Sequence, residues 1–347
     1  MRMLRTTNKA WVLEMTDSSN ACRSNWQDES NPVPRGETEG LRSSGSIEPD
    51  LLKSMNSRFQ LPLRERAIFK CWPLLTLLLA SGCSPLSLLS ATSGSNYQRT
   101  TNQAYGNDLR QALDVYVPAM TIENADVVMF IYGGRWQFGS KDEYRFIAAG
   151  LTGKGFITVI PDYRLYPQVD WRDFIADNAA TYRWVETHIA AFGGNPRRIF
   201  VMGHSAGAHI AAMVALDSKL RQQTGSDHAP CGLIGLAGPY DFLPIEDADV
   251  QQVFKSANQP IETQPIFYVD RNAPSMLLLT GAADTTVKPG NSYRLAAAVQ
   301  ARGGKAEVIS YPDVGHVGIL LAMAPPLSFL APSLRDTTSF IHKTVCP

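Results

Sequence analysis

The pentapeptide Gly203-His204-Ser205-Ala206-Gly207 constrains the fold of this chain more than any other feature of its sequence. Four apolar residues, Ile199-Phe200-Val201-Met202, run straight into it, and the alanine-rich stretch from Ala206 to Ala215 runs straight out. A short apolar run reads as a strand buried on both faces, and alanine is the strongest helix former, so the segment predicts strand, tight turn and helix. Both glycines stand where side chains next to the serine would crowd such a turn. A buried strand feeding directly into a helix belongs to a layered α/β fold with a mostly parallel sheet.

The rest of the chain repeats that alternation. Ala112–Val117, Val127–Tyr132, Phe156–Ile160, Leu233–Leu236, Met276–Leu279 and Ala306–Tyr311 all read as strands. Ile175, Ala179, Tyr182, Val185 and Ile189 recur at helical spacing and stop at Gly193-Gly194, and a second helix near Tyr293 to Arg302 stops at Gly303-Gly304. With 44% hydrophobic residues among 347, a large core is available. Lys plus Arg and Asp plus Glu both number 32, so the charge balance provides no field for capturing nucleic acid. The sequence contains no internal repeat, zinc-type cysteine spacing or glycine-rich phosphate loop, and implies no metal or cofactor.

A G-x-S-x-G turn between strand and helix holds a serine out as a candidate nucleophile. A serine hydroxyl at its own pKa is weak and needs a base within hydrogen-bond reach. Four histidines lie downstream: His209, His228, His316 and His342. His209 is one helical turn behind Ser205 and reads as a packed helical residue, His228 lies in a polar connection, and His342 is near the end of the chain. His316 follows the last expected strand, where a loop can return it to Ser205. Asp284, closing the strand at Leu279, is the candidate orienting acid, and Asp241 after the preceding strand is its rival. An oxyanion also needs N–H donors. The candidates are the backbone of Ala206 and the loop Gly133-Gly134-Arg135-Trp136 after the strand Val127–Tyr132.

Tyr132-Gly133-Gly134-Arg135-Trp136 resembles the oxyanion loop of bacterial carboxylesterases related to hormone-sensitive lipase and to feruloyl and acetyl esterases. Asp162-Tyr163-Arg164-Leu165-Tyr166-Pro167 and Gly193-Gly194-Asn195-Pro196-Arg197 resemble further segments of that group, so the likeness runs from about Tyr105 to His316. It implies an α/β-hydrolase fold with a mostly parallel central sheet, helices on both faces and a small cap, here expected from about Phe242 to Asn272. It also implies a serine carboxylesterase acting on a small-molecule ester through Ser205, His316 and Asp284. The alternatives are an amidase such as an arylformamidase, a small serine peptidase, or a catalytically dead binding lipoprotein. Tyr132 stands where the group usually has histidine, and its hydroxyl is expected to brace the loop instead. Arg135 is bulkier than the residue usual there, and is expected at the pocket mouth, favouring acidic or polar acyl groups.

Ahead of the folded part, Arg64, Arg66 and Lys70 precede the apolar run Leu74 to Ala80, too short to cross a bilayer. This is the layout of a secretory signal peptide. Its ending, Leu79-Ala80-Ser81-Gly82-Cys83, resembles a lipoprotein lipobox, which implies a lipid anchor on Cys83 and a place in the cell envelope. An ordinary cleaved signal and an uncleaved anchor are the alternatives. The expected division is a non-native or disordered extension over 1–54 with translation starting at Met55, a signal peptide over 55–83, a flexible tether over 84–104 and the hydrolase domain over 105–347. Cys231 and Cys346 either pair in an oxidising compartment or stand as isolated thiols.

Overall fold

The structure is a computed structural model and describes residues 85–346 apart from 95, 121–122 and 227. The segments 1–54 and 55–83, and with them the lipid-attachment expectation at Cys83, lie outside the described residues. Eight strands make one sheet in the order β1-β2-β4-β3-β5-β6-β7-β8. They are β1 (Tyr97–Ala104), β2 (Ala112–Pro118), β3 (Ala125–Ile131), β4 (Ile157–Pro161), β5 (Gly194–His204), β6 (Gly232–Leu236), β7 (Ser275–Gly281) and β8 (Ala306–Tyr311). Neighbours from β4 across to β8 all pair parallel, while β1 and β2 join one edge antiparallel. Every residue of β4 and β6 is buried, which is why these strands read as unbroken apolar runs.

The helices are α1 (Pro85–Thr92), α2 (Arg145–Thr152), α3 (Trp171–His188), α4 (Ala206–Leu216), α5 (Ser218–Gln223), α6 (Ala248–Phe254), α7 (Gly290–Gln300), α8 (Gly318–Leu321) and α9 (Ser333–Lys343). A capping box starts α3: the Asp170 side chain accepts the Arg172 N–H while Asp173 accepts the Asp170 N–H. Helix α4 is buried along its whole length, as its apolar residues all round require. It can lie against β3 only because residue 207 is glycine, since a Cβ there would sit 2.1 Å from the Ile131 carbonyl oxygen. The expected α/β-hydrolase architecture is therefore present, and the segment from 242 to 272 leaves the sheet between β6 and β7 as α6 and two 3-10 turns, Pro260–Thr263 and Pro265–Tyr268.

The expected flexible tether over 84–104 is corrected by the structure. Leu86 and Leu89 of α1 pack on the core, and Ser90 donates to the Glu143 carbonyl. Residues 97–104 form the edge strand β1, paired with β2 from Tyr97↔Pro118 to Ala104↔Ala112. An outer strand has little to bury, so its sequence YQRTTNQA is polar and lacks the apolar signature of its neighbours. The ordered domain accordingly begins before residue 105. Cys231, beside β6, and Cys346, just past α9, form a disulfide with their Cα atoms 4.7 Å apart. No helix among the described residues is long and apolar enough to cross a membrane.

Candidate active site

Ser205 sits at the junction of β5 and α4 with φ 55° and ψ −123°. Such a conformation costs a non-glycine residue about 1–3 kcal/mol and survives only where its surroundings impose it. Here the Ser205 N–H donates to the Leu236 carbonyl of β6 at 2.9 Å, and its own carbonyl accepts the Ala208 and His209 N–H groups. The turn leaves the hydroxyl half-buried at the carboxyl end of the parallel strands, where ligands of open α/β sheets gather.

The loops after β7 and β8 bring the two partners to that point. His316 Nε2 is 2.8 Å from Ser205 Oγ, and His316 Nδ1 is 2.8 Å from Asp284 Oδ2. An ionised carboxylate only accepts, so Nδ1–H donates to Asp284 and Nε2 is left to accept the serine hydroxyl. The side chain of Asp284 is buried, and its other oxygen accepts the Thr286 and Val287 N–H groups at 2.8 and 2.9 Å. Burial alone would push this carboxyl up, but the bonds from His316, Val287 and Thr286 hold it below the usual carboxylate value. His204 holds the histidine loop from below, its Nε2–H donating to the His316 carbonyl at 2.9 Å. Burial first, and then the neighbouring His316, push His204 down to about 3 and keep it neutral.

The candidate oxyanion loop, residues 133–136, comes within van der Waals reach of Ser205. A Cβ on Gly133 would lie 3.1 Å from Ser205 Cβ and 2.9 Å from the His204 carbonyl oxygen, so no larger residue fits there. Arg135 and Trp136 follow with φ of 53° and 61°. Among the described residues, the N–H groups of Gly134, Arg135, Trp136 and Ala206 have no acceptor. Tyr132 lies buried between the rings of Tyr144 and Tyr163 and braces the loop from behind. Its hydroxyl donates to Asp162 Oδ1 and accepts from Arg110 Nη2, both at 2.8 Å. Tyr163 donates to the Tyr132 carbonyl at 3.0 Å. Burial pushes the Tyr132 hydroxyl well above its ordinary value, so it stays protonated as a donor.

The remaining candidates separate from the site. Asp241 is taken by Arg294, whose Nε donates to its carboxylate at 2.5 Å and whose Nη2 donates to its carbonyl at 2.6 Å. His228 is exposed, and His342 packs its ring 5.3 Å from that of Phe156. His209 is fully buried in α4, as its position behind the elbow suggests. Arg135 stands in the cavity wall, as expected, and there its Nη2 donates to Asp247 Oδ1 at 2.6 Å and lies 3.7 Å from Asp249 Oδ2, so its guanidinium is shared with two carboxylates at the cap edge. Sequence reasoning passed over Arg110 and His204, while Asp162 and Tyr163 stood out only as part of a family-like segment. The cavity over Ser205 has a volume of about 340 Å³, with Trp136, Phe242, Leu243, Ile245 and Val250 among its walls. Among the described residues no group of three or more His, Cys, Asp or Glu side chains could hold a metal ion.

Residues 113–299, over half of the chain, match the BD-FAE family. An isoprenylcysteine alpha-carbonyl methylesterase of Arabidopsis thaliana is 30% identical over 239 residues, covering 62% of this chain and 56% of that one. A kynurenine formamidase of Salmo salar is 31% identical over 181 residues, covering 52% and 57%. The chain spans about half to two thirds of the length of the curated relatives it matches. Among solved structures, a carbohydrate esterase from gut microbiota superposes with a TM-score of 0.64 at 23% identity, over 72% of this chain and 98% of that one. The sheet order, the strained serine at its centre and the match from β2 to α7 agree with one another, and the chain belongs to the BD-FAE family of α/β-hydrolase esterases.

Proposed function

We propose that this protein is a serine carboxylesterase that hydrolyses short-chain esters through an acyl-enzyme. The observation that carries the reading is the hydrogen-bonded row Ser205–His316–Asp284, with both contacts at 2.8 Å. His316 takes the hydroxyl proton as Ser205 Oγ attacks the ester carbonyl, and Asp284 holds the imidazole in the required tautomer and stabilises the imidazolium. The carbonyl oxygen, now negative, is received by the unpaired N–H groups of Ala206 and the Gly134–Trp136 turn. His316 then protonates the leaving alcohol, and in the second half it activates water to release the acid and restore Ser205. The modest cavity, with an apolar wall of Trp136, Phe242, Leu243, Ile245 and Val250 alongside charged residues such as Asp241, Lys288 and Arg294, favours a short acyl chain. The likeness to a kynurenine formamidase supports a second reading, hydrolysis of an aryl formamide at the same serine.

Export to the cell envelope, with a lipid on Cys83, completes the proposal. It is supported by the lipobox-like ending at Cys83 and by the Cys231–Cys346 disulfide, a bond suited to an oxidising compartment. A lipid-modified Cys83 peptide in the mass spectrum of the membrane fraction is expected, and an unmodified one would end that part. For the activity, hydrolysis of p-nitrophenyl acetate, butyrate and octanoate should be compared with that of formanilide. The reading expects the short esters to be turned over fastest, and formanilide as the better substrate would transfer the assignment to the amidase.

A further inference from the structure

Behind the oxyanion loop, a buried polar thread runs through an aromatic cluster. Trp136 Nε1 is 3.3 Å from His209 Nδ1, and His209 Nε2 is 2.8 Å from the carbonyl of Thr263. Indole only donates and a carbonyl only accepts, so the ring has one possible tautomer: Nδ1 accepts from Trp136, and Nε2–H donates to Thr263. Thr263 Oγ1 accepts from Gln264 Nε2 at 2.7 Å, and Gln264 Oε1 accepts the Phe242 N–H at 2.7 Å. Phe242 and Phe254, both from the cap side, close on the same point with ring centroids 5.8 and 5.6 Å from that of His209. Three elements thus meet at one imidazole: the oxyanion loop, the nucleophile helix α4 and the cap. Burial pushes His209 down to about 4, the Thr263 carbonyl pulling weakly the other way, so the one-donor, one-acceptor pattern persists at neutral pH.

We propose that His209 is a positioning residue whose Nδ1 edge sets the oxyanion loop through Trp136 and whose Nε2 edge pins the cap through Thr263. The inference rests on the serine-hydrolase reading of Ser205 and adds to it a route by which the cap is felt at the reacting carbonyl. The two edges are chemically separable. Asparagine puts an acceptor oxygen where Nδ1 lies and offers nothing to Thr263. Glutamine puts an N–H where Nε2 lies and offers Trp136 no acceptor.

The test measures kcat and KM for p-nitrophenyl butyrate, and the rate of Ser205 labelling by a fluorophosphonate, in the parent, His209→Phe, His209→Asn and His209→Gln. His209→Phe loses both edges, and a loop displaced by a fraction of an ångström lowers kcat about tenfold or more. His209→Asn should return kcat and the labelling rate to within about threefold of the parent while KM stays raised. His209→Gln should keep the parent's KM with the low kcat. Asparagine and glutamine variants that shift kcat and KM together, in the same proportion, would overturn the proposal, as would a folded His209→Phe with the parent's kinetics. If His209→Phe does not fold, the other two variants decide. A parent inert to esters but labelled at Ser205 overturns the esterase reading alone, and the labelling rates then decide on His209. A parent neither active nor labelled overturns both.

Discussion

Ser205, Asp284 and His316 each stand just past a parallel strand, whereas the cap from 242 to 272 hangs on side chains. The three site residues follow β5, β7 and β8, whose registers run unbroken through pairs such as Gly203↔Gly235, Leu236↔Leu279 and Gly281↔Tyr311. Moving Ser205 or Asp284 means moving a strand whose carboxyl half is buried, and His316 follows the edge strand β8, which is half-buried and held along β7 by an unbroken parallel register. The cap has a helix of 7 residues and two 3-10 turns of 4 residues, well below the length at which helices hold themselves. Its polar attachments to the rest of the domain are few and scattered, among them His209 to the Thr263 carbonyl, Arg135 to Asp247, Arg172 to Glu262, and one backbone bond from the Ile266 N–H to the Tyr240 carbonyl. On the proposed reading, the chemistry lies on the strand-borne floor and substrate choice on the part that can be rebuilt cheaply.

Breaking the floor should therefore cost far more than breaking the cap. Asp284→Asn keeps the shape but supplies an N–H where His316 needs an acceptor, and kcat should fall about 10,000-fold with KM little changed. A fall of only a few fold would mean another acid orients His316. Next in size is the disulfide, which closes a sequence separation of 115 residues between β6 and the end of the chain. Cys346→Ser should cost about 2–4 kcal/mol of stability, or roughly 10 °C in Tm, without altering kcat. A loss of kcat in protein that stays folded would place the C-terminus nearer the chemistry than the structure does.

The two buried histidines give the floor and the cap a common acid sensitivity. His204 and His209 are depressed from 6.5 to about 3 and about 4, so below pH 6.5 the unfolded chain binds protons that the native chain refuses. Stability should be complete above pH 6.5 and fall as the pH drops towards 4, by about 1.4 kcal/mol per pH unit for each histidine. Replacing His209 by asparagine should roughly halve that slope in denaturant melts across the window, and an unchanged slope would show that other groups govern it. The smallest effect belongs to Arg135→Ala, which releases an exposed ion pair at the cap edge. KM for neutral esters should rise only about twofold to threefold, with the ratio of neutral to acidic esters unchanged; a selective loss of acidic esters would show that the guanidinium serves substrate rather than Asp247.

What the sequence made legible follows the same division. The inner parallel strands announce themselves because both faces must be apolar, β8 by its alternation AEVISY at the sheet edge, and the elbow because its glycines have no substitute. His316 and Asp284 could be named because they directly follow two of those strands. Strand β1 stayed hidden because YQRTTNQA lies at the sheet edge with little to bury. Helix α1 read as a serine-rich tether although Leu86 and Leu89 pack on the core. The contacts that join loop to cap span long separations, 54 residues from His209 to Thr263 and 112 from Arg135 to Asp247, and no local pattern encodes them. Arg110 reaches Tyr132 from a polar turn that carries no motif at all.

The most direct test of the central claim is hydrolysis of p-nitrophenyl butyrate by the parent and by Ser205→Ala, with both proteins shown to be folded by their melting curves. The parent should turn over the ester, and the variant should lose about a million-fold in kcat at an unchanged Tm. A folded Ser205→Ala protein as active as the parent would contradict the assignment of the nucleophile and, with it, the mechanism built on His316 and Asp284.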